Sequence, residues 1–229
     1  MQKENPHNPH KEETEDKFSD FIKRNRKGIY ISFGVIILLF AGIIVYLSLN
    51  SYLQKKATAE AEELNGKYNE LRLSLSDESK NDDVNDLLEK LNVFVKGKSG
   101  YAGARGWTII AQINSGREDW PRAEEAWRSA AKAGVKTYLA PVALFNAAAC
   151  AENQGKIKEA VELLEKCVAY KFDFPAAPRA QFSIGRLNEQ LGDIPAAIAA
   201  YRAILANEQW SKIETWANLA QSRLIAIEE

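Results

Sequence analysis

Residues 182–205 read FSIGRLNEQLGDIPAAIAAYRAIL, and this stretch decides the fold. It reads as two helices joined at Gly192-Asp193. Gly185 and Ala197 are small, as a close crossing of two helices requires. Gly192 admits the positive φ of a tight turn, and Asp193 is placed to cap the next helix. Tyr201 is large enough to fill the space toward a neighbouring unit. The same residue types return upstream at a spacing of 37: Ala123, Ala160 and Ala197; Trp127, Leu164 and Tyr201; Ala130, Cys167 and Ile204. Trp120, Ile157 and Ile194, Ile110, Ala147 and Ile184, and Ala111, Ala148 and Gly185 keep the same interval, as do Pro141 and Pro178. A period of roughly 20–50 residues marks stacked supersecondary units.

Each unit resembles a tetratricopeptide repeat: a small residue in helix A, a Gly-Asp-type turn, then Ala and an aromatic in helix B. The expected fold class is all-α, with an α-solenoid of such hairpins. Repeats are expected at 101–135, 138–172 and 175–209, and Trp216, Leu219 and Ala220 open a capping helix over 211–228. The period exceeds the roughly 34 residues of that family, which places the extra residues near Thr137-Tyr138 and Phe172-Phe174. Asn114, Ala151 and Asn188 stand where the family often has an aromatic.

Upstream, residues 84–96 form a helix with Leu87, Leu88, Leu91, Phe94 and Val95 inward, after a loop at 76–83. Leu53, Ala57, Ala61, Leu64, Tyr68, Leu71 and Leu75 make one helical stripe. The folded domain is therefore expected over 50–229, with about nine helices.

Before it lies 29–49, IYISFGVIILLFAGIIVYLSL, without a charge. At about 1.5 Å per residue it reaches roughly 31 Å, the thickness of a bilayer core. It is expected to be a single transmembrane helix, uncleaved, since a signal h-region is only about 7–15 residues. Lys17, Lys23, Arg24, Arg26 and Lys27 precede it, against Lys55 and Lys56 after it. The positive-inside rule then puts the N-terminus in the cytoplasm and the domain outside, in the periplasm of a two-membrane bacterium. Gly34, Ala41 and Ser48 recur every seven residues, a small-residue face on which another helix could pack.

Residues 1–28 form the expected cytoplasmic tail. Residues 1–16 are too polar to form a core, while Phe18, Phe21 and Ile22 share a helical face beside the basic cluster. His7 and His10 are two metal-capable side chains on a polar tail, too few for a strong site, and no metal is expected.

Chemistry is largely excluded. Residues 11–229 contain no histidine, which rules out Ser-His-Asp, Cys-His and histidine-bearing metal sites there. Gly97, Gly100, Gly103 and Gly106 lack the strand that would make a phosphate loop. An enzyme, a cofactor and a small-molecule substrate are not expected, and a net charge of −1 argues against nucleic acid. Cys150 and Cys167 either pair or serve as small buried residues.

Helical solenoids bind extended peptides or partner helices on their concave face. Alignment of the units places Arg105, Thr108 and Gln112 there from the first, Phe145, Ala149 and Glu152 from the second, and Arg179, Phe182, Arg186 and Glu189 from the third. Phe145 and Phe182 share one repeat position, either as neighbouring apolar contacts for a partner or buried between units.

The layout resembles the ancillary subunit of the bacterial SecYEG translocon. The resemblance rests on KFSDFIKRNRK before the apolar run, the run itself, the helix with Ala57, Ala61, Tyr68 and Leu71, and the Tyr101-Ala102-Gly103-Ala104 start of the repeats. It implies a non-catalytic adaptor of the inner membrane, whose partners are translocon subunits, a membrane-anchored periplasmic chaperone or unfolded client chains. A scaffold of another envelope assembly, in outer-membrane biogenesis or cell-wall machinery, is the alternative.

Overall fold

A computed structural model describes residues 9–74, 78–170 and 174–228. Among them are nine α-helices and no strand: α1 (Pro9–Leu71), α2 (Asn81–Phe94), α3 (Gly100–Gly116), α4 (Trp120–Ala133), α5 (Leu139–Asn153), α6 (Ile157–Val168), α7 (Ala177–Leu191), α8 (Ile194–Ala206) and α9 (Glu214–Glu228). The chain divides into two compact units, Met1–Lys55 and Lys56–Glu229.

The first unit consists of the upstream part of α1. Its apolar stretch is long enough to cross a membrane, and none of it is buried. Residues 9–16, expected to lack structure, are helical. His7 and the side chain of His10 lie outside the described residues.

The second unit is a helical solenoid. Ala57, Ala61 and Leu64 of α1 are buried in one core with Val84, Leu87 and Leu91 of α2, the inward residues of α3–α7 and Ala200 of α8. Leu53 of the sequence stripe is exposed, and Leu75 lies outside the described residues. The hairpins α3–α4, α5–α6 and α7–α8 follow, and a second cluster joins Tyr201 and Ile204 of α8 to Ala220 and Leu224 of α9.

The 37-residue period has a local physical basis. The turn from helix A to helix B needs a left-handed residue in every hairpin, and it falls at Glu118 (φ 57°), Gly155 (φ 74°) and Gly192 (φ 76°). In all three hairpins the residue after the left-handed one donates its backbone N–H to the carbonyl five residues back, each at 2.9 Å: Lys156 to Ala151, and Asp119 and Asp193 to Asn114 and Asn188. The Asp119 and Asp193 side chains then accept from Arg122 N at 3.2 Å and Ala196 N at 3.1 Å, capping helix B. Asn114 and Asn188 are buried, and each amide donates to the carbonyl four residues back, Ile110 at 2.9 Å and Ile184 at 3.0 Å. A polar residue is tolerated at this crossing because its helix satisfies the amide.

Within the last hairpin, a Cβ on Gly185 would stand 2.4 Å from Cε1 of Tyr201, which is fully buried. The ring takes the space that glycine leaves. Cys150 and Cys167 are both free and buried. The Cys167 thiol donates to the Pro141 carbonyl at 3.2 Å, whereas Cys150 lies beside Ser115 Oγ at 3.9 Å. Pro141 and Cys150 are separated by nine residues of α5, roughly 13 Å of helix, so a disulfide is out of reach. Burial pushes the Cys167 thiol up to about 12.

Two substitutions test this reading by denaturant unfolding. Glu118→Gly should raise stability by about 0.5–1 kcal/mol, because glycine tolerates the left-handed backbone. Gly185→Ala should lower it by about 1–3 kcal/mol through overpacking against Tyr201.

Candidate functional site: the row of first helices

The first helix of each hairpin, α3, α5 and α7, lies in a row that α9 completes. The residues expected on this face occupy it unevenly. Arg179 and Arg186 are exposed, as is Ala149, while Arg105, Gln112, Phe145, Glu152, Phe182 and Glu189 are half-buried. Thr108 is a correction: it is buried at 5% exposure and does not line the surface. It shares the repeat position of Phe145 and Phe182, but a short side chain there packs inside the hairpin.

Two kinds of cross-unit rung run along the row, both at an offset of 34 residues. The first is ionic. Arg186 of α7 donates to Glu152 of α5 at 2.8 Å, and Arg223 of α9 donates to Glu189 of α7, its Nε at 3.1 Å. The second is aromatic. The Arg179 guanidinium lies over the Phe145 ring at 5.2 Å, and Trp216 meets Phe182 with centroids 5.8 Å apart. Phe145 also contacts Phe174 at 6.0 Å, and Phe182 contacts Tyr201 at 5.3 Å. Both phenylalanines therefore serve inter-unit packing and keep part of their surface in solvent.

At the other end of the row the rung is different. Glu62 of α1 accepts from the Tyr101 hydroxyl at 2.7 Å and lies 3.4 Å from Arg105 Nε. The charges assigned to this face, Arg105, Glu152, Arg186 and Glu189, are thus engaged within the protein. Their partners Glu62 and Arg223 were not picked out from the sequence, and Trp216 was read only as part of the capping helix. The available signal was the complementary pairing at 34 residues, one helical turn short of the 37-residue repeat.

Glu189 is also bonded by the Tyr201 hydroxyl. Hydrogen bonding from Arg223 holds its carboxyl below the usual 4.5, against some desolvation. A second polar junction sits on the opposite helices. Glu124 of α4, only 5% exposed, accepts from Arg128 at 2.7 Å, Gln154 at 2.8 Å and Lys156 at 3.1 Å, and Arg128 also bonds Glu159 of α6. Desolvation raises the Glu124 pKa, but hydrogen bonds from Arg128, Lys156 and Gln154 outweigh it and hold it low. The repeat equivalents of Glu124 are Val161 and Ile198, so this junction is particular to the first interface between units.

No group of three or more His, Cys, Asp or Glu side chains that could hold a metal occurs among the described residues. One cleft of the second unit lies between solvated helix faces at Lys67, Asp86 and Lys90. The arrangement offers a surface for binding.

The chain belongs to the tetratricopeptide repeat-like domain family, whose pattern matches residues 19–229. This is a fold of non-catalytic protein-interaction scaffolds. A TPR repeat-containing protein of Treponema pallidum (strain Nichols) is 38% identical over 130 residues, covering 57% of this chain and 53% of that protein. The chain thus spans about half the length of that relative. Two crystal structures of a kinesin-light-chain-type protein of Podosopora anserina, with nearly identical TPR-like repeats, are 16% identical. Each covers 73% of this chain, and 96% and 94% of their own chains, with TM-scores of 0.48 and 0.49.

Acid should weaken the unit interfaces. Glu124 and Glu189 have depressed pKa values in the folded protein, so their stabilisation is present above about 4.5 and lost as pH falls through the lower folded values. Glu124→Gln should flatten the acid limb of a stability–pH curve. Glu124→Ala should cost about 3 kcal/mol at neutral pH, because it strips a buried network of its carboxylate.

Proposed function

We propose that this protein is a membrane-anchored adaptor that binds polypeptides or partner proteins on the row formed by α3, α5, α7 and α9. One observation carries the reading. The family pattern begins at residue 19, ahead of the apolar run, so the run and the repeats belong to one pattern. A stretch of mean hydropathy 2.6 with none of its length buried suits lipid as its surroundings. The excess of Lys and Arg before it favours a cytoplasmic N-terminus and a repeat domain in the periplasm of a bacterial inner membrane.

The binding mode follows from the rungs. With Arg186 and Glu152 paired, as are Arg223 and Glu189, the face presents little free charge. The half-exposed rings of Phe145 and Phe182, with Leu219 at the equivalent place on α9, form an apolar row. Such a row suits apolar side chains of an extended or helical segment. The resemblance through KFSDFIKRNRK and Tyr101-Ala102-Gly103-Ala104 favours the Sec translocon, its clients and a periplasmic chaperone as partners. Gly34, Ala41 and Ser48, all exposed, offer a close-approach face to a translocon helix. A scaffold of another envelope assembly is the second reading, since a general interaction fold serves either.

Photo-crosslinkers placed in living cells at Phe145, Phe182 and Leu39 separate these readings. Capture of translocon subunits from position 39 and of polypeptides from 145 and 182 is expected. Capture of outer-membrane or cell-wall assembly proteins alone would overturn the Sec assignment, and capture only from the opposite helices would overturn the binding face. Gly34→Leu with Ala41→Leu should reduce capture from position 39 at least several-fold while leaving insertion intact.

A further inference from the structure

The connections between hairpins carry a charge asymmetry that the interaction face does not use. Glu62 of α1 meets Tyr101 and Arg105 in the first turns of α3. The loops before α3 and α5 therefore lie at the end of the second unit where the chain arrives from residue 55. These loops are neighbours, with the Tyr101 and Tyr138 rings 6.3 Å apart. The Tyr170 hydroxyl pins the second of them by donating to the Val135 carbonyl at 2.7 Å.

Lys96, Lys98, Lys132 and Lys136 are exposed there, and none makes an ion pair among the described residues; the Lys98 ammonium also lies 5.7 Å from the centre of the Phe94 ring. Residues 95–100 and 132–138 contain no acid. Between the lysines stand Val135 and Tyr138, 57% and 58% exposed. The turns at the far end differ. They present Glu118 and Asp193, and three of their cations are engaged: Arg117 by Asn81 and Asn85, Arg122 by Asp119, Lys156 by Glu124.

We propose that this lysine-rich end of the repeat domain rests on an anionic phospholipid surface. The four ammonium groups meet headgroup phosphates, and Val135 and Tyr138 enter the interfacial layer. The inference rests on reading residues 29–49 as a membrane span. Leu49 and the first buried residue, Ala57, are eight positions apart. That is about 12 Å as helix and at most roughly 28 Å extended. The end is thus tethered within reach of headgroups, where attraction acts over a Debye length of roughly 8 Å. An acidic protein is the competing occupant, but the span holds this end beside lipid whatever partner is bound.

The test uses the full chain reconstituted into phosphatidylcholine vesicles with and without phosphatidylglycerol. A bimane probe is attached at Val135→Cys, with Glu118→Cys as the far-end control. Cys150 and Cys167 are buried, so the introduced thiol is labelled selectively. The probe at 135 should shift to the blue and be quenched by headgroup-level quenchers only when phosphatidylglycerol is present. High salt, or glutamine at all four lysines, should abolish the shift, and the probe at 118 should remain aqueous. An aqueous probe at 135 in chains that float with the vesicles overturns this inference and leaves the anchor standing. Chains that do not float overturn the anchor and the inference together. A blue shift that survives glutamine at the four lysines, or that arises only on adding an acidic protein, also overturns it.

Discussion

A single two-helix hairpin has more apolar surface than it can cover, and the rest of this structure depends on that constraint. Each unit must lay its open face on the next, so one core runs from Ala57 of α1 to Ala200 of α8. Stability then comes from interfaces between neighbours. The last unit needs a lid, and α9 provides it through Ala220 and Leu224 beneath Tyr201 and Ile204. At the other end the closing element is the downstream part of α1, which buries Ala57, Ala61 and Leu64.

That dependence gives the polar residues of the interaction row a double role. A pair such as Arg186 and Glu152 joins two successive units, so it sets how one helix meets the next as well as what a partner encounters. Surface ion pairs contribute little singly, about 0–1 kcal/mol. Glu189 is better placed, because Arg223 reaches it from α9 while Tyr201 bonds it from within its own hairpin. A partner that competes for these groups would loosen an interface between units. Apolar contacts on Phe145 and Phe182 carry no such cost, which is the physical reason for assigning recognition to them.

Periodicity made the hairpins legible. Small residues at 111, 148 and 185 mark the close crossings, and Gly155 and Gly192 mark left-handed turns. Glu118 occupies the same left-handed position without a glycine to announce it, since the turn is imposed by the helices it joins. The binding row was less legible. Alignment put Thr108, Phe145 and Phe182 in one class, yet the first is buried and the other two are half-exposed, because burial depends on the size of the side chain facing the next unit. Glu124 was invisible for a related reason. Its carboxylate is buried by residues 30 and 32 positions away, Gln154 and Lys156, and no local pattern encodes that encounter.

The sequence by itself determined the all-helical class, the repeat, its turn positions and caps, and the long uncharged apolar stretch, because these depend on local spacing and on side-chain size. Only the tertiary structure decided which charges of the interaction row are already paired and that Cys167 of α6 meets α5 at Pro141, far along that helix from Cys150. It also decided that the lysines of successive connections gather at one end. Each of these depends on which residues the stacking of hairpins brings together, and a 34-residue contact within a 37-residue repeat arises only when one helix is laid beside the next.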